Sequence, residues 1–577
     1  MHKMHPRRWP HGARLHLTRC MTVALCVALL GCTAEEPGAG GELAMSVRAL
    51  SGACGGQAGL NPFSEISAYE LVVRDQDGKL KSRLNAAKSG NSLTIDNVPA
   101  GSGMQLTLIG RVGGKARWFA RRSGQKIIKN TTTPFDMTLM SIESFTCIEP
   151  SAGQITNVLF PSVTTIAGGR VLITGGFSTS KVSATETTLS GPSDNAWIFD
   201  PNTGELRSPK NNTRMSKPRA AHASIFLPKS NRVLIVGGAM KMTMNTKDGG
   251  PPTWRVSDGV GTTYEIFDVA SEQFIAPEAN TLPNAVKRAF PNLMPLSDDY
   301  VVALGGAQWP APSKATGGDM TTYMNSSLYD PTKGENGAFI KVGAALPLNT
   351  PRGGSSLAFL GTTPSGGSKY LIWGGDAEAD TLHAEVFSES STAGDGLFDA
   401  GYVVDGDITS IKGGLYFPTL TPIGSGTDGK DSTVKFLSVG GIRYAAGKWT
   451  APRAEDVYVV SVNEAKKRIS TKRVNGLGAG IYLHSANRTD ANHVLITGGF
   501  SDWKTPSNFT MRIYDIATGT FSNPAAGANF IKRGGHGAQA LNNDCVFLFG
   551  GVSELKDLSG KAQPVASDVY CPEHLVP

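Results

Sequence analysis

Along most of the chain the apolar residues gather in short runs closed by turn residues, the pattern of strands rather than of long amphipathic helices. Runs such as Val171-Leu172-Ile173-Thr174 and Val494-Leu495-Ile496-Thr497 are continuous, as strands buried on both faces require. Residues 42–141 follow a different rule. Met104-Gln105-Leu106-Thr107-Leu108-Ile109 alternates, Tyr69-Glu70-Leu71-Val72-Val73 runs into the hairpin-type turn Asp75-Gln76-Asp77-Gly78, and Leu93-Thr94-Ile95 precedes Val98-Pro99-Ala100-Gly101. About seven short strands in about 100 residues predict a small β-sandwich here.

From 142 onward the chain repeats. An apolar run ending in a glycine pair occurs seven times, at Gly175-Gly176, Gly237-Gly238, Gly305-Gly306, Gly374-Gly375, Gly440-Gly441, Gly498-Gly499 and Gly550-Gly551. A second run follows each pair, centred on Phe199, Phe267, Tyr329, Phe387, Tyr458, Tyr514 or Tyr570. Aspartate follows four of these aromatics (Asp200, Asp268, Asp330, Asp515), and a turn such as Pro201-Asn202-Thr203-Gly204 leads on to an outer strand. Successive pairs lie between 52 and 69 residues apart, with the excess in segments such as 240–253 and 308–318. Glycine at such a place permits a tight turn and the close approach of neighbouring strands.

These features resemble kelch repeats, over about 430 residues of the chain. The resemblance implies an all-β protein: a seven-bladed kelch-like β-propeller at 142–577, preceded by a small N-terminal β-sandwich domain at 42–141. Seven units close a ring without long exposed sheet edges. The Val98-Pro99-Ala100-Gly101 turn makes the sandwich similar to transthyretin-like or carboxypeptidase-regulatory-like domains. Each kelch-like unit supplies four strands, yet the last stops at Tyr570-Cys571 without an outer one. Ser144-Phe145-Thr146-Cys147-Ile148 lies where a preceding outer strand would fall, so it is expected to complete the seventh unit.

The N-terminus changes the reading of charge. Of a formal net charge of +7, five positive charges (Lys3, Arg7, Arg8, Arg14, Arg19) fall in the first twenty residues, which hold no acid. The remaining +2 gives no support to a nucleic-acid partner. The apolar run at 21–30 is too short for a spanning helix, which needs about 20 residues. Leu29-Leu30-Gly31-Cys32 resembles the bacterial lipobox. That resemblance implies a lipoprotein signal peptide at 1–31, acylation at Cys32 by palmitate-type chains, and a flexible tether at 32–41. With Thr33 rather than aspartate after the cysteine, it implies the outer membrane, on its periplasmic or cell-surface face. Arg7-Arg8 runs into Trp9-Pro10-His11 and does not continue as a twin-arginine signal; Met4 is an alternative start.

Seven cysteines are present, three of them (Cys20, Cys26, Cys32) in the leader region. The even set Cys54, Cys147, Cys545 and Cys571 points to two disulfides in an exported chain, and the lack of CxxC spacing argues against zinc. Two pairings stay open. Cys147–Cys571 would lock the ring, whereas Cys545–Cys571 would cross adjacent strands and leave Cys54–Cys147.

The search for catalytic chemistry is mostly empty. Galactose oxidase, the best-known enzyme with a kelch-like propeller, needs a tyrosine crosslinked to a cysteine, a Tyr-His pair and another histidine around copper. This chain has no cysteine between Cys147 and Cys545 and no Tyr-His dipeptide; Tyr482-Leu483-His484 comes nearest. No catalytic residue, metal or cofactor is therefore expected. His222, His484 and His536 stand at equivalent repeat positions, where Pro161, Pro291 and Pro418 stand in other units. They either converge on the channel or are satisfied within their own blades. Arg219, Arg288, Arg352 and Arg533 recur three residues before that position. In a kelch-like fold they would ring one mouth of the channel and bind carboxylates or phosphate. Alternatively each caps carbonyls or pairs with an acid such as Asp200 or Asp330. Gly424-Ser425-Gly426-Thr427-Asp428-Gly429-Lys430 starts like a P-loop, but Asp431 replaces the Ser/Thr and strands surround it. Asp75 and Asp77 lack the rest of a calcium loop.

The chain is thus expected to be a non-enzymatic, membrane-anchored envelope protein that binds a protein or glycan partner through propeller loops. One alternative is a carbohydrate-binding or carbohydrate-active relative of galactose oxidase, stacking sugars on Trp197, Trp254, Trp309, Trp449 or Trp503. Another is a purely structural envelope component.

Overall fold

The apolar runs become strands, and the protein is nearly all β, with a single four-residue α-helix among the described residues. A computed structural model describes residues 40–50, 62–86, 92–148, 158–183, 186–245, 253–257, 260–277, 281–283, 287–308, 321–322, 325–340, 346–375, 384–399, 401–410, 413–428, 431–445, 448–501, 511–523, 530, 532–554 and 567–572. The leader, Cys32, nearly all of the tether, and Cys54 lie outside the described residues.

Seven N-terminal strands form one sheet: β1 (Gly41–Ala49), β2 (Ala68–Arg74), β3 (Leu80–Ala86), β4 (Ser92–Val98), β5 (Gly101–Val112), β6 (Lys115–Ile127) and β7 (Thr132–Ser141). Their order is β3-β2-β5-β6-β7-β1-β4, with β1 parallel to β7. The two edges β3 and β4 lie beside one another, so the sheet is nearly closed. This differs from the expected sandwich of two facing sheets. The alternation explains why: Leu43, Met45, Leu71, Leu106, Leu108, Met137 and Leu139 all point into one shared core, which curls the sheet around it.

The remaining chain builds seven antiparallel sheets in succession. The first consists of Ser162–Thr165, Val171–Thr174, Ala196–Asp200 and Glu205–Arg207. The others span 223–275, 292–340, 356–399, 419–473, 485–522 and 537–570. The fifth gains an extra parallel strand, Val403–Gly406. The first strand of each sheet adjoins the first strand of the next, and that of the seventh adjoins that of the first. In every sheet the second strand ends at its glycine pair and the opposite end is a set of tight turns. The two faces of the ring are therefore a glycine-pair face and a turn face.

The seventh sheet is composite. Its outer strand is β8 (Phe145–Ile148), which pairs antiparallel with Ser567–Tyr570, as the position of that segment suggested. Stacked Phe199 and Phe547, with ring centroids 4.5 Å apart, fill the junction between the first and seventh sheets. The N-terminal sheet shares that core: Leu50, Phe119, Met140 and Ile142 pack with Leu541, Phe547 and Cys571. Thr138 Oγ1 donates to the Asn202 carbonyl (2.6 Å), and Arg121 pairs with Asp544. All these ring residues lie at the turn face.

Cys545 is bonded to Cys571 within the seventh sheet. The ring-locking Cys147–Cys571 bond is thereby ruled out: adjacent strands bring Cys545 to Cys571, and hydrogen bonding of β8 closes the ring instead. Cys147 is itself disulfide-bonded. The 26-residue separation predicts about 3.5 kcal/mol of stabilisation in the chain-entropy model. Cys545→Ala/Cys571→Ala should lower the stability measured in urea by that amount; a loss under about 0.5 kcal/mol would refute it.

Candidate functional site

One residue per sheet, two positions before the first strand, sits at a positive φ: Phe160 (56°), Ala221 (54°), Phe290 (51°), Gly354 (60°), Phe417 (54°), Leu483 (51°) and Gly535 (67°). Their backbones link round the axis. Phe160 N–H donates to the Gly535 carbonyl (2.8 Å), Ala221 N–H to Phe160 (3.0 Å), Phe290 N–H to Ala221 (2.7 Å), and Phe417 N–H to Gly354 (2.7 Å). The left-handed region costs an L-residue about 1–2 kcal/mol, and bulky side chains are rare there. Local pairing holds it: Leu159 bridges Phe177, Ala220 bridges Ala239, and Tyr482 bridges Phe500.

The strained backbone throws three aromatic rings onto the axis. Phe160 and Phe290 meet edge-to-face at 5.5 Å, and Phe290 and Phe417 at 5.2 Å. Glycine is needed at Gly354, because a β-carbon there would lie 2.8 Å from the Phe417 ring. The result is an apolar floor closing the glycine-pair end of the axis, with Phe160, Phe290, Phe417 and Leu483 half-buried upon it.

The long segments after the glycine pairs build on this face. Phe177–Val182 and Glu186–Pro192 join Lys241–Asn245 and Thr253–Ser257 in a four-stranded sheet contributed by the first two repeats. Gly414–Tyr416, Ile442–Ala445 and Lys448–Trp449 form a three-stranded sheet. Leu189 and Met242 from the former, and Tyr416 and Trp449 from the latter, join the floor's core.

The four arginines expected at a channel mouth are not there. Arg219, Arg288, Arg352 and Arg533 are each 0% exposed. Each donates through Nη1 to the first glycine carbonyl of its sheet's pair: Gly237 (2.7 Å), Gly305, Gly374 (2.7 Å) and Gly550 (3.3 Å). Arg219 also pairs with Glu265 (2.6 Å), Arg352 with Glu385 (2.8 Å) and Arg533 with Asp568. In the fifth repeat Arg443, on the strand Ile442–Ala445 that follows the glycine pair, meets Asp456 at 2.7 Å. Because these side chains satisfy carbonyls and carboxylates inside the sheets, they line no site.

Their acidic partners were missed, although a signal existed. Glu265, Glu385, Asp456 and Asp568 each stand two residues before the repeat aromatic, on the same strand or, for Asp456, just ahead of it. The acids after the aromatics do something else. Asp200 accepts from Asn202 N–H (2.8 Å) and Asp330 from Thr332 N–H (2.9 Å), so they cap turns rather than pair the arginines. The floor also had a signal: Phe160-Pro161, Phe290-Pro291 and Phe417-Pro418 repeat one dipeptide at equivalent positions.

The histidines do not converge. His222, His484 and His536 each bond through Nε2 to a threonine of the preceding sheet: Thr174 (2.7 Å), Thr419 (3.0 Å) and Thr497 (3.1 Å). Their Nδ1 atoms are buried without a hydrogen-bond partner. Burial holds His222 and His536 well below the ordinary imidazole range, helped by the charges of Arg219 and Arg533, and pushes His484 down to about 3. Trp197 and Trp449 are buried in cores, not presented to sugars; the Trp254, Trp309 and Trp503 side chains lie outside the described set. The described part of the P-loop-like segment, Gly424 to Asp428, runs along the strand Thr419–Asp428 of a hairpin, and Gly429 and Lys430 lie outside the described residues. Asp75 accepts from Asp77 and Lys79 N–H and so caps its own turn.

No family model matches the chain, and no curated protein matches it. Among solved structures it is similar to a novel fungal alcohol oxidase with catalytic diversity among the AA5 family, in complex with copper. That likeness has a TM-score of 0.46 at 12% identity, over 73% of this chain and 75% of the other. It is also similar to YjhT, with a TM-score of 0.31 at 13% identity, over 64% of this chain and 94% of that one. At these identities no residue's role passes from either protein to this one.

Proposed function

We propose that the chain is a seven-bladed kelch-like β-propeller, tethered by acylation of Cys32 to the bacterial outer membrane, that binds a protein or glycan without catalysing a reaction. The observation that carries this reading is the floor of Phe160, Phe290 and Phe417 on left-handed backbone, flanked by added sheets. Among the described residues, the large apolar side chains on left-handed backbone, Phe160, Phe290, Phe417 and Leu483, all lie at this face, and strain of that kind supports a functional use of the face. Half-buried aromatic rings on a rigid floor are suited to anchoring a partner.

The arrangement also supports an orientation of the face under this reading. The tether arrives at Gly41, while the other end of β1 leads to Leu50, packed against the turn face of the ring. The N-terminal sheet thus acts as a spacer, and the glycine-pair face points away from the membrane. No helix among the described residues is long and apolar enough to cross a membrane. In this reading the acyl group at Cys32 carries the attachment.

Photo-crosslinking in cells tests this reading. A photoreactive residue at Phe290 or Tyr444 should capture one dominant protein, or polysaccharide, from the envelope fraction. The same probe at Lys333, beyond the third sheet's turn end, should not. Equal capture from both places, or none from the glycine-pair face, would overturn the assignment.

A further inference from the structure

We propose that the far end of the N-terminal sheet, where the tether arrives, docks directly onto an anionic lipid surface. This rests on the membrane-tether reading and adds to it a second, non-covalent contact.

Residues 41–141 carry thirteen Lys and Arg against seven Asp and Glu, a net +6, whereas residues 142–577 carry a net −2. The positive charge of the mature chain is therefore concentrated in the part nearest the anchor. Two large apolar side chains stand out there, Leu80 at 44% exposed and Ile128 at 49%. Lys79 and Lys81 flank the first, Lys126 and Lys129 lie beside the second, and all four are exposed.

Topology places both at the tether end. Asn130 N–H donates to the Gly40 carbonyl (3.2 Å) and Glu42 N–H to Thr131 (3.1 Å), so the segment holding Ile128 brackets the arriving chain. Leu80 opens β3 opposite Arg74, beyond the hairpin tip at Asp75–Gly78, and Gln76 of that tip lies against Gly103, near the start of β5. The start of β5 faces Ile127. The acids at this end are Glu42, Asp75, Asp77 and Asp96. Asp75 is turned into its own hairpin, where it also meets Lys81 at 3.5 Å. Apolar tips ringed by lysines match a bilayer interface. The tips enter the acyl boundary while the ammonium groups stay among anionic headgroups.

The test uses the mature chain from residue 32 with Cys32→Ser, so that no acyl group contributes. It should co-sediment with vesicles containing phosphatidylglycerol and not with pure phosphatidylcholine vesicles, and raising the salt from 0.1 M to 0.5 M should release it. Each lysine removed should weaken partitioning about 5-fold, so Lys126→Gln/Lys129→Gln should lose about 30-fold. Leu80→Asp should also reduce binding. The control Lys333→Gln/Lys472→Gln removes the same charge from the ring and should bind normally. Absence of binding to anionic vesicles, equal binding to neutral ones, or an equal loss in the control would overturn the proposal. The tether reading is tested separately, by the mass of the Cys32 peptide from cells, so either can fail without the other.

Discussion

Urea denaturation of Glu385→Ala is expected to show a loss of about 3–5 kcal/mol, the scale for breaking a buried ion pair by removing one partner. Glu385 is 1% exposed and holds four groups: Asn349 N–H (2.7 Å), Asn349 Nδ2 (3.1 Å), Thr350 N–H (3.2 Å) and Arg352 Nε (2.8 Å). Alanine takes the counter-charge from a guanidinium that is 0% exposed and strips two backbone donors of their acceptor. The segment 349–352 also carries the chain into the fourth sheet, so its loosening propagates to the strand that follows. Arg352→Met should cost less, because Glu385 keeps the Asn349 and Thr350 donors and methionine fills part of the volume. The double variant should cost less than the sum of the two singles. A Glu385→Ala protein within about 0.5 kcal/mol of the unsubstituted chain would show that the pair does not hold the sheet together. The same ordering is expected for Glu265 with Arg219, since that carboxylate also accepts from Ser216 and Lys217 N–H.

A second large effect should appear on mild acidification. His222, His484 and His536 are neutral and buried, with folded-state pKa values below the value near 6.5 of an unfolded chain. Above that value neither state binds the proton and stability does not depend on these groups. As pH falls below about 6.5 the unfolded chain takes up three protons that the native state refuses. Stability should then fall by about 1.4 kcal/mol per pH unit for each histidine, or about 4 kcal/mol for all three. Carboxylates do not account for this window. Glu272, held at about 2 by Arg207 and the Lys210 N–H, loses its contribution only as pH falls from about 4.5 toward 2. Urea midpoints at pH 7, 6 and 5 provide the check, and His536→Gln should lower the slope by about a third. A flat profile between pH 6.5 and 5 would refute the assignment. This slope limits the acidity the folded ring withstands.

Much of the chain's organisation was legible before any coordinates. Seven glycine pairs with seven following aromatics marked seven sheets, since each strand is short, local and dictated by its own apolar run. The segment around Cys147 could be placed as the missing outer strand because strand count is a closed sum in a repeating ring. The N-terminal alternation identified strands but not how their sheet closes, which depends on pairings between β3 and β4 and between β1 and β7.

Sites were harder. Arg219, Arg288, Arg352 and Arg533 were found by their repeat position, but whether a guanidinium faces solvent or a carbonyl depends on side-chain direction at the end of a strand. Their partners Glu265, Glu385 and Asp568 come from a strand more than 30 residues further on in each case, across two hydrogen-bonded neighbours. Cys571 had two partners compatible with the chain, and only the register of adjacent strands chose Cys545. The floor was decided by tertiary structure alone. Phe160, Phe290 and Phe417 adopt a backbone that local preference opposes, and the neighbouring sheets' carbonyls hold it. The sequence by itself thus determined the strands of the seven repeated sheets and their succession, because period and turn chemistry act over a few residues. Which buried charges pair, which cysteines join and what closes the axis were left to the assembled ring, because those energies arise between groups that meet only after the sheets have closed on one another.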